Sequence, residues 1–273
     1  MAAGSLLLGL WLVGLAGCAD QDDCVCCPAD REAPAAPRGL YSITGNGAVT
    51  LVWLANTESD LASYRVYTSD YYAGVYHFLA RVPACGDCYR VEYVDLGAVN
   101  GETYFYAVAA LDHAGNESAL SVEYVWDTPR PDGRAVVANA LRQGGYDWAA
   151  FDFQGRRAVA ADDPRADFFF TFDSFAGGFL IAGRDRQPAD PTAIQDMGYT
   201  ADFDEIDYAP ARTDGWSPTG TAEPILGHTY VLLTRENHYA KIRITGLNAE
   251  EMAFEWAFQL VPFNRQLKRP AAE

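Results

Sequence analysis

The strongest constraint on the fold is a series of short, strand-like segments at regular spacing. Seven such segments follow one another, bounded by Gly, Asn, Asp or Pro. They cover residues 40–44, 49–54, 64–67, 78–82, 91–94, 104–110 and 120–126. The alternation of Val49, Leu51 and Trp53 turns one apolar face inward, and the preceding Gly-Asn-Gly favours the positive φ of a hairpin turn. Seven short strands at this spacing predict a β-sandwich.

Four motifs of residues 34–127 occur in a fixed order. They are a proline-led first strand, AVTLVW with Trp53, LASYRVY, and NGETYFYAVAALDHAGNES for the last hairpin. Together they resemble a fibronectin type III domain, in which Tyr104 takes the tyrosine-corner position and bonds through its hydroxyl to nearby backbone. The resemblance implies a spacer and recognition module of a kind that bacteria often attach to carbohydrate-active enzymes and surface proteins. We interpret the polar run at residues 112–117 as turn chemistry at a hairpin tip.

A second β domain is predicted for residues 134–265, between a linker at residues 128–133 and a tail at residues 266–273. Phe168, Phe170 and Phe172 alternate along one strand, Gly-Gly turns the chain, and residues 179–182 return. Residues 229–234, 239–245 and 252–260 are predicted as three consecutive strands. No window shows a convincing amphipathic helix. The predicted fold class is therefore all-β: a fibronectin type III (immunoglobulin-like) β-sandwich followed by a second, mostly antiparallel β domain.

One long stretch, residues 184–223, has no clear period. A structureless loop of that length in a compact domain is either functional or wrongly assigned. Its aromatic side chains would form a weak ligand-binding patch if exposed and would anchor the loop if buried: Tyr199, Phe203, Tyr208 and Trp216. Its carboxylates are weak candidates for calcium ligands: Asp202, Asp204, Glu205 and Asp207. Calcium prefers oxygen ligands, but the spacing is not that of an EF-hand, and a solvated acidic loop is the alternative.

Residues 6–16 form an uncharged apolar run of 11 residues. That length suits a signal-peptide core, whereas a bilayer span needs roughly 20 residues. The run ends in Leu-Ala-Gly-Cys, which resembles the lipobox of bacterial lipoproteins. The resemblance implies removal of residues 1–17 and acylation of Cys18, and Ala19 at the next position implies the outer membrane. Residues 1–5 lack Lys and Arg, and a plain secretory signal is the alternative.

Residues 18–33 are rich in Asp, Ala and Pro and predict a flexible acidic tether. The net charge of the chain is −17. Such a surface repels nucleic acid and anionic lipid, so neither is an expected partner. The expected contact with the membrane is the lipid anchor alone.

The cysteines other than Cys18 are expected in an oxidising compartment, where disulfides persist. Cys85 and Cys88 can close a small loop and are the disulfide candidates. One pair among Cys24, Cys26 and Cys27 can also form. A zinc site that joins this triplet to the CxxC is the alternative, because four thiolates suffice for zinc.

The closing sequence HTYVLLTRENHYAKIRITGL, followed by MAFEWAFQ, resembles the C-terminal hairpin region of the HmuY-like family of haem-binding lipoproteins. That resemblance implies a haem held by side chains of the β domain, commonly histidines. His228 and His238 are separated by about seven strand residues, or roughly 23 Å, so they cannot share one iron. A His–Met pair with Met197 or Met252 stays open, and no cofactor is expected.

Sequence motifs of common enzymes are missing: GxSxG, HExxH, a phosphate loop and the Rossmann glycines. Paired carboxylates for glycoside hydrolysis stay open, because such residues can be distant in the chain. The expected function is that of a non-enzymatic binding protein, anchored in the cell envelope, with an unknown protein or glycan ligand. The alternatives are a haem or metal carrier and a carbohydrate-binding accessory protein.

Overall fold

The computed structural model describes residues 30–182, 192–212 and 215–267. In these ranges the only helical element is a single 3-10 turn, Tyr146–Trp148, and the remaining elements are strands. No helix of the described residues has the length and apolar character that a membrane crossing requires. The all-β prediction is confirmed. The lipobox cysteine Cys18 and the triplet Cys24, Cys26 and Cys27 lie outside the described residues.

The first domain is a two-sheet sandwich of seven strands. They are β1 (Tyr41–Thr44), β2 (Val49–Leu54), β3 (Leu61–Ser69), β4 (His77–Pro83), β5 (Arg90–Asp95), β6 (Tyr104–Asp112) and β7 (Val125–Asp127). One sheet has the order β1-β2-β5 and the other β4-β3-β6-β7, with antiparallel pairs throughout. Trp53 and Tyr64 contact edge to face across the core, with ring centroids 5.3 Å apart. Gly47 adopts the expected positive φ in the first hairpin.

Tyr104 stands at the first residue of β6, and its hydroxyl accepts a hydrogen bond from the Val99 backbone N at 3.1 Å. This is the tyrosine corner that the sequence resemblance predicts.

The seventh strand is shorter than predicted and covers three residues in place of residues 120–126. Before it, Ser118 and Ser121 already bond to β6 through their backbone N–H groups. Their hydroxyls accept hydrogen bonds from the backbone N of Ala110 and Val108 at 2.9 and 3.2 Å. These side-chain acceptors take the place of strand carbonyls, so the ladder is interrupted there.

The second domain is also a sandwich. Its strands are β8 (Asp132–Ala138), β9 (Ala150–Asp152), β10 (Arg157–Val159), β11 (Phe168–Asp173), β12 (Gly177–Ala182), β13 (Ala193–Tyr199), β14 (Thr221–Ala222), β15 (His228–Leu233), β16 (Tyr239–Leu247) and β17 (Glu251–Phe258). They form two five-stranded sheets, β10-β9-β11-β12-β14 and β13-β15-β16-β17-β8. An aromatic core joins the sheets, and in it Phe151 contacts Phe254 edge to face at 5.3 Å.

The long stretch at residues 184–223 is not a structureless loop, because its described part contains β13 and β14. β13 pairs with β15, from Ala193 opposite Leu233 to Tyr199 opposite His228. It has only two strong apolar residues, Ile194 and Met197, so its sequence lacks the alternation of a half-buried strand. The other end of the second domain also extends further than predicted, because Leu267 is buried and its backbone N donates to the Asp207 carbonyl at 2.6 Å.

The junction between the domains is packed. β8 begins at Asp132, inside the predicted linker, and residues 128–131 are all buried. The Arg130 backbone N donates to the Gly45 carbonyl of the first domain at 3.0 Å, and the Phe258 backbone N of the second domain donates to the Pro131 carbonyl at 3.0 Å. The four junction residues are thus hydrogen-bonded to both domains.

Candidate functional site

A cavity of about 390 Å³ opens at the end of the second domain that adjoins the junction. That volume lies within the range of small-molecule sites. Charged and hydrogen-bonding side chains dominate its lining, which consists of Asp152, Gln154, Gly155, Arg157, Arg165, Asp167, Arg235, Glu236, His238 and Phe258.

Two turns and three strand ends position these residues. β9 ends at Asp152 and the following turn leads into β10 at Arg157. Asp167 immediately precedes β11, and Phe258 is the last residue of β17. The turn between β15 and β16 adds the remaining groups, and Asn237 at its tip has a φ of 65°. Asparagine tolerates this left-handed conformation better than most residues do.

Asp167 is a deeply buried carboxylate of the cavity, with 4% of its surface exposed. Its Oδ2 accepts a hydrogen bond from the Phe153 backbone N at 2.9 Å. Burial raises the pKa of Asp167 to about 7, and the charges of Glu236 and Asp152 act in the same direction. The cavity therefore contains a carboxyl group that gains or loses its proton near neutral pH.

Asp152 is also buried, and its Oδ1 accepts a hydrogen bond from the Gly155 backbone N at 2.8 Å. A Cβ added at Gly155 would stand 2.4 Å from the Asp152 Oδ2. Only glycine lets the turn approach the carboxylate this closely.

The arginines of the cavity differ in how their donors are used. Arg165 makes a two-pronged contact with Asp163, through Nε at 3.0 Å and Nη2 at 2.7 Å. Arg235 is only 3.6 Å from Glu236 through Nη2, and its buried Nε has no hydrogen-bond partner in the described structure. An unsatisfied buried donor is costly, so Arg235 gains from an acceptor that enters the cavity.

His238 and Phe258 supply the flat part of the lining, with ring centroids 5.3 Å apart. The His238 Nδ1 lies 2.9 Å from the Gln259 carbonyl oxygen, so we assign the proton to Nδ1. In the neutral ring Nε2 is then an acceptor.

Of these ten lining residues, only His238 was singled out from the sequence, as a histidine weighed for haem. They come from separate segments without a shared motif, and only the tertiary contacts bring them together. The one local signal is a run of polar residues directly after or before an apolar strand, as at Asp152 and Asp167.

The four aromatic candidates of the long stretch do not form one surface. Tyr199 is 71% exposed at the end of β13, and Tyr208 is 40% exposed. Phe203 lies under the Lys241 ammonium, 4.3 Å from ring centroid to Nζ. Trp216 packs on an apolar cluster, and its Nε1 donates to the Ala211 carbonyl at 2.8 Å. Phe203 and Trp216 thus anchor the long stretch to the sheet.

The four carboxylate candidates are not gathered around a common point in the described structure. Asp202 accepts from the Asp204 backbone N at 2.8 Å, Glu205 from the Ala201 backbone N at 2.7 Å, and Asp207 from the Tyr208 backbone N at 2.8 Å. The Lys241 Nζ donates to the carbonyls of Phe203 and Ile206 at 2.6 and 2.8 Å. A lysine of the sheet therefore brings a positive charge to this loop, and the calcium assignment stays a prediction.

Another acidic group is Asp30, Asp60 and Asp112, whose carboxylate oxygens lie within 4.8 Å of one another. Asp112 accepts from the backbone N and the Nδ2 of Asn116, both at 2.8 Å. These bonds are the turn contacts that the sequence predicts for residues 112–117. The sequence did not predict that Asp30 and Asp60 lie close to Asp112.

The histidines of the haem hypothesis are separated by the length of β15. His228 opens that strand, and its Nδ1 is 3.0 Å from each carboxylate oxygen of Asp196. His238 lies beyond the other end of the strand, in the cavity described above.

Cys85 and Cys88, between β4 and β5, are joined by a disulfide with a Cα–Cα distance of 5.6 Å.

No model of a known protein family matches the chain. An amylopullulanase of Thermoanaerobacterium thermosulfurigenes is 36% identical over 97 residues, which are 35% of this chain and 5% of that protein. Exoglucanase B of Cellulomonas fimi is 34% identical over 112 residues, 40% of this chain and 9% of that protein. A solved Fn3-like protein from Clostridium thermocellum is 27% identical over 37% of this chain and 98% of that protein, with a TM-score of 0.30.

The chain therefore spans less than a tenth of the length of these curated relatives. The first domain has the two-sheet strand order and the tyrosine corner of a fibronectin type III fold.

Proposed function

We propose that the protein is a non-enzymatic carbohydrate-binding protein of the cell envelope, anchored in the outer membrane through acylated Cys18. In this proposal the fibronectin type III domain is a spacer, and the second domain carries the binding site. The cavity of about 390 Å³ is the observation on which the proposal depends, because it gathers hydrogen-bonding groups of both kinds beside two flat rings. The names of the relatives, an amylopullulanase and an exoglucanase, support carbohydrate as the ligand class.

The geometry of the first domain supports a spacer. The Asn116 Nδ2 donates to the Asp30 carbonyl near the end of β6, whereas Asp127 pairs with Tyr104 at the beginning of that strand. The chain thus enters and leaves the domain at opposite ends of β6. Nine strand residues extend over roughly 30 Å, and this is the distance that the domain adds between tether and second domain.

The anchor is tested by replacing Cys18 with Ser in the full-length chain expressed in a bacterial host. We expect the unmodified chain to incorporate an alkyne-labelled fatty acid and to sediment with membranes, and Cys18→Ser to lose the label and enter the soluble fraction. Cys88→Ser serves as the control, because it replaces a cysteine that the proposal leaves unacylated. A Cys18→Ser protein that remains labelled and membrane-bound would contradict the anchor.

The binding function is tested with the full-length chain in mild detergent on a glycan array. We expect binding to at least one oligosaccharide class and no cleavage of the bound sugars after prolonged incubation. Absence of binding across the array would contradict the carbohydrate proposal. Release of shortened products would contradict the non-enzymatic part and would direct attention to Asp152 and Asp167.

A further inference from the structure

We infer that the cavity at the junction end of the second domain binds an uncharged sugar residue through its neighbouring hydroxyl groups. The inference rests on the proposed carbohydrate binding and names its site and ligand class. Three properties of the cavity support it: the pairing of flat rings with polar groups, the balance of charge, and the rigidity of the lining.

The first property is the combination of ring faces and hydrogen-bonding groups. A sugar ring presents C–H groups on its faces and hydroxyls at its edge. The rings of His238 and Phe258 offer an apolar surface for the faces. Gln154 offers a donor and an acceptor together, and the guanidinium of Arg235 offers further donors. Vicinal hydroxyls, each both donor and acceptor, match the polar groups, and the C–H faces of the ring match the apolar part of the lining.

The second property is the balance of charge. The cavity has three arginines, Arg157, Arg165 and Arg235, and three carboxylic acids, Asp152, Asp167 and Glu236. An anionic ligand such as a phosphate would face the carboxylates, and a cationic ligand would face the guanidinium groups. Both pay a desolvation cost that this lining only partly offsets. A neutral ligand with many hydroxyls uses both sets of side chains.

The third property is that several lining groups are held in place before a ligand arrives. Asp167 is fixed by the Phe153 backbone N, Asp152 by the Gly155 backbone N, and Arg165 by Asp163. Groups that are already ordered lose little conformational entropy on binding. Arg235 is held less firmly, because its Nη2 is 3.6 Å from Glu236 and its buried Nε lacks a partner in the described structure.

An exposed aromatic surface of the first domain is the rival site for the same ligand class. It consists of Tyr72, Phe105 and Tyr124, with centroids of Tyr72 and Tyr124 4.2 Å apart. These two tyrosine rings are nearly perpendicular, at 88°. Phe105 and Tyr124 are tilted by 33°, less than the 44° between His238 and Phe258, so ring geometry does not separate the two sites. We favour the cavity because charged and amide side chains surround its rings.

The test uses the full-length chain and an array of neutral, uronate-containing and sulfated oligosaccharides, followed by calorimetric titration of the best neutral ligand. Arg235→Met and Gln154→Ala are the cavity variants. Arg142→Met is the matched control, because Arg142 pairs with Glu250 outside the cavity. Tyr124→Ala tests the rival surface. We expect each cavity variant to raise the Kd by about tenfold or more and the control to stay within about twofold.

The outcomes separate the two proposals. If the unmodified chain binds a neutral glycan and the cavity variants bind it equally well, the inference is overturned while the proposed function stands. Loss confined to Tyr124→Ala would move the site to the first domain. Preference for sulfated or uronate-containing glycans would overturn the assignment to uncharged sugars. If no glycan binds, both the inference and the proposed function fail.

Discussion

Asp167 shows how one residue can be kept at a pKa near neutrality. The carboxyl group lies at the end of an aromatic core, receives a single backbone hydrogen bond, and shares its cavity with two further acids. Burial disfavours the charged form, so the folded chain retains a proton that the unfolded chain releases. The unfolding free energy therefore falls as the pH rises from about 4, the pKa of an unfolded Asp, to about 7.

Asp167→Asn is expected to remove this pH dependence. The amide oxygen can still accept from the Phe153 backbone N, and no charge develops at high pH. Relative to the unmodified chain, the variant should gain roughly 2 to 4 kcal/mol in unfolding free energy between pH 4.5 and pH 8, as measured by urea unfolding.

Asp163→Asn is the control for this measurement. Hydrogen bonds from Arg165 lower the pKa of Asp163 to about 2, so its contribution is constant above pH 4.5 and is lost only in stronger acid. Identical slopes for Asp167→Asn and the unmodified chain would contradict the assigned protonation.

At the scale of elements, the outer face of the sheet β13-β15-β16-β17-β8 holds the acidic segment, residues 202–207, in a defined conformation. Lys241 and Arg243 alternate along β16 with the inward residues Ala240, Ile242 and Ile244. Lys241 binds two backbone carbonyls of the segment, and the Arg243 Nη2 donates to the Thr200 carbonyl at 3.0 Å. Buried carbonyls that lose their donors carry a desolvation cost, so these cations hold the loop on the sheet.

Lys241→Met is expected to lower the unfolding free energy by about 2 to 4 kcal/mol, because it leaves the carbonyls of Phe203 and Ile206 without their donor. Amide hydrogen exchange of residues 200–212 should also accelerate. Arg134→Met is the matched control, since Arg134 pairs with Glu255 but is largely exposed, and its cost should stay within about 1 kcal/mol. Unchanged exchange in residues 200–212 of Lys241→Met would contradict this role.

At the scale of the whole molecule, a buried charge lies where the two domains meet. The Arg130 side chain is 1% exposed, and its Nη1 is 4.0 Å from the Asp132 Oδ2. Burial lowers the pKa of Arg130 to about 10, against the attraction of Asp132, Asp204 and Asp127. Burial also raises the pKa of Asp127 to about 6. These charges come from the first domain, the junction and the second domain, so they link all three.

Arg130→Ala is expected to weaken this link, because it leaves the buried Asp127 without a nearby positive charge. The unmodified chain should unfold in a single calorimetric transition. The variant should lose about 3 to 5 kcal/mol and should show two transitions or one broadened transition. Arg142→Met again provides the exposed control. Two separate transitions in the unmodified chain would contradict the coupling of the domains.

The sequence alone determined the elements whose pattern is local. Alternation along β2 and β11, a Gly-rich hairpin turn and the position of Tyr104 each depend on residues a few places apart, and the structure has them as predicted. An apolar residue at every second position is enough to predict such a strand, because successive side chains of a strand point to opposite faces of the sheet. The same reasoning failed for β13, which is held by its pairing with β15 and carries little alternation of its own.

Only the tertiary structure decided which polar residues meet. Asp152, Asp167 and Arg235 share a cavity although 83 positions separate the first from the last. Within the acidic run at residues 202–207, the carbonyls of Phe203 and Ile206 accept hydrogen bonds from the ammonium of Lys241, which belongs to a strand more than 30 positions away. Hydrogen bonds and charge contacts act over a few ångströms in space, and the distance between two residues along the chain does not set their distance in the fold.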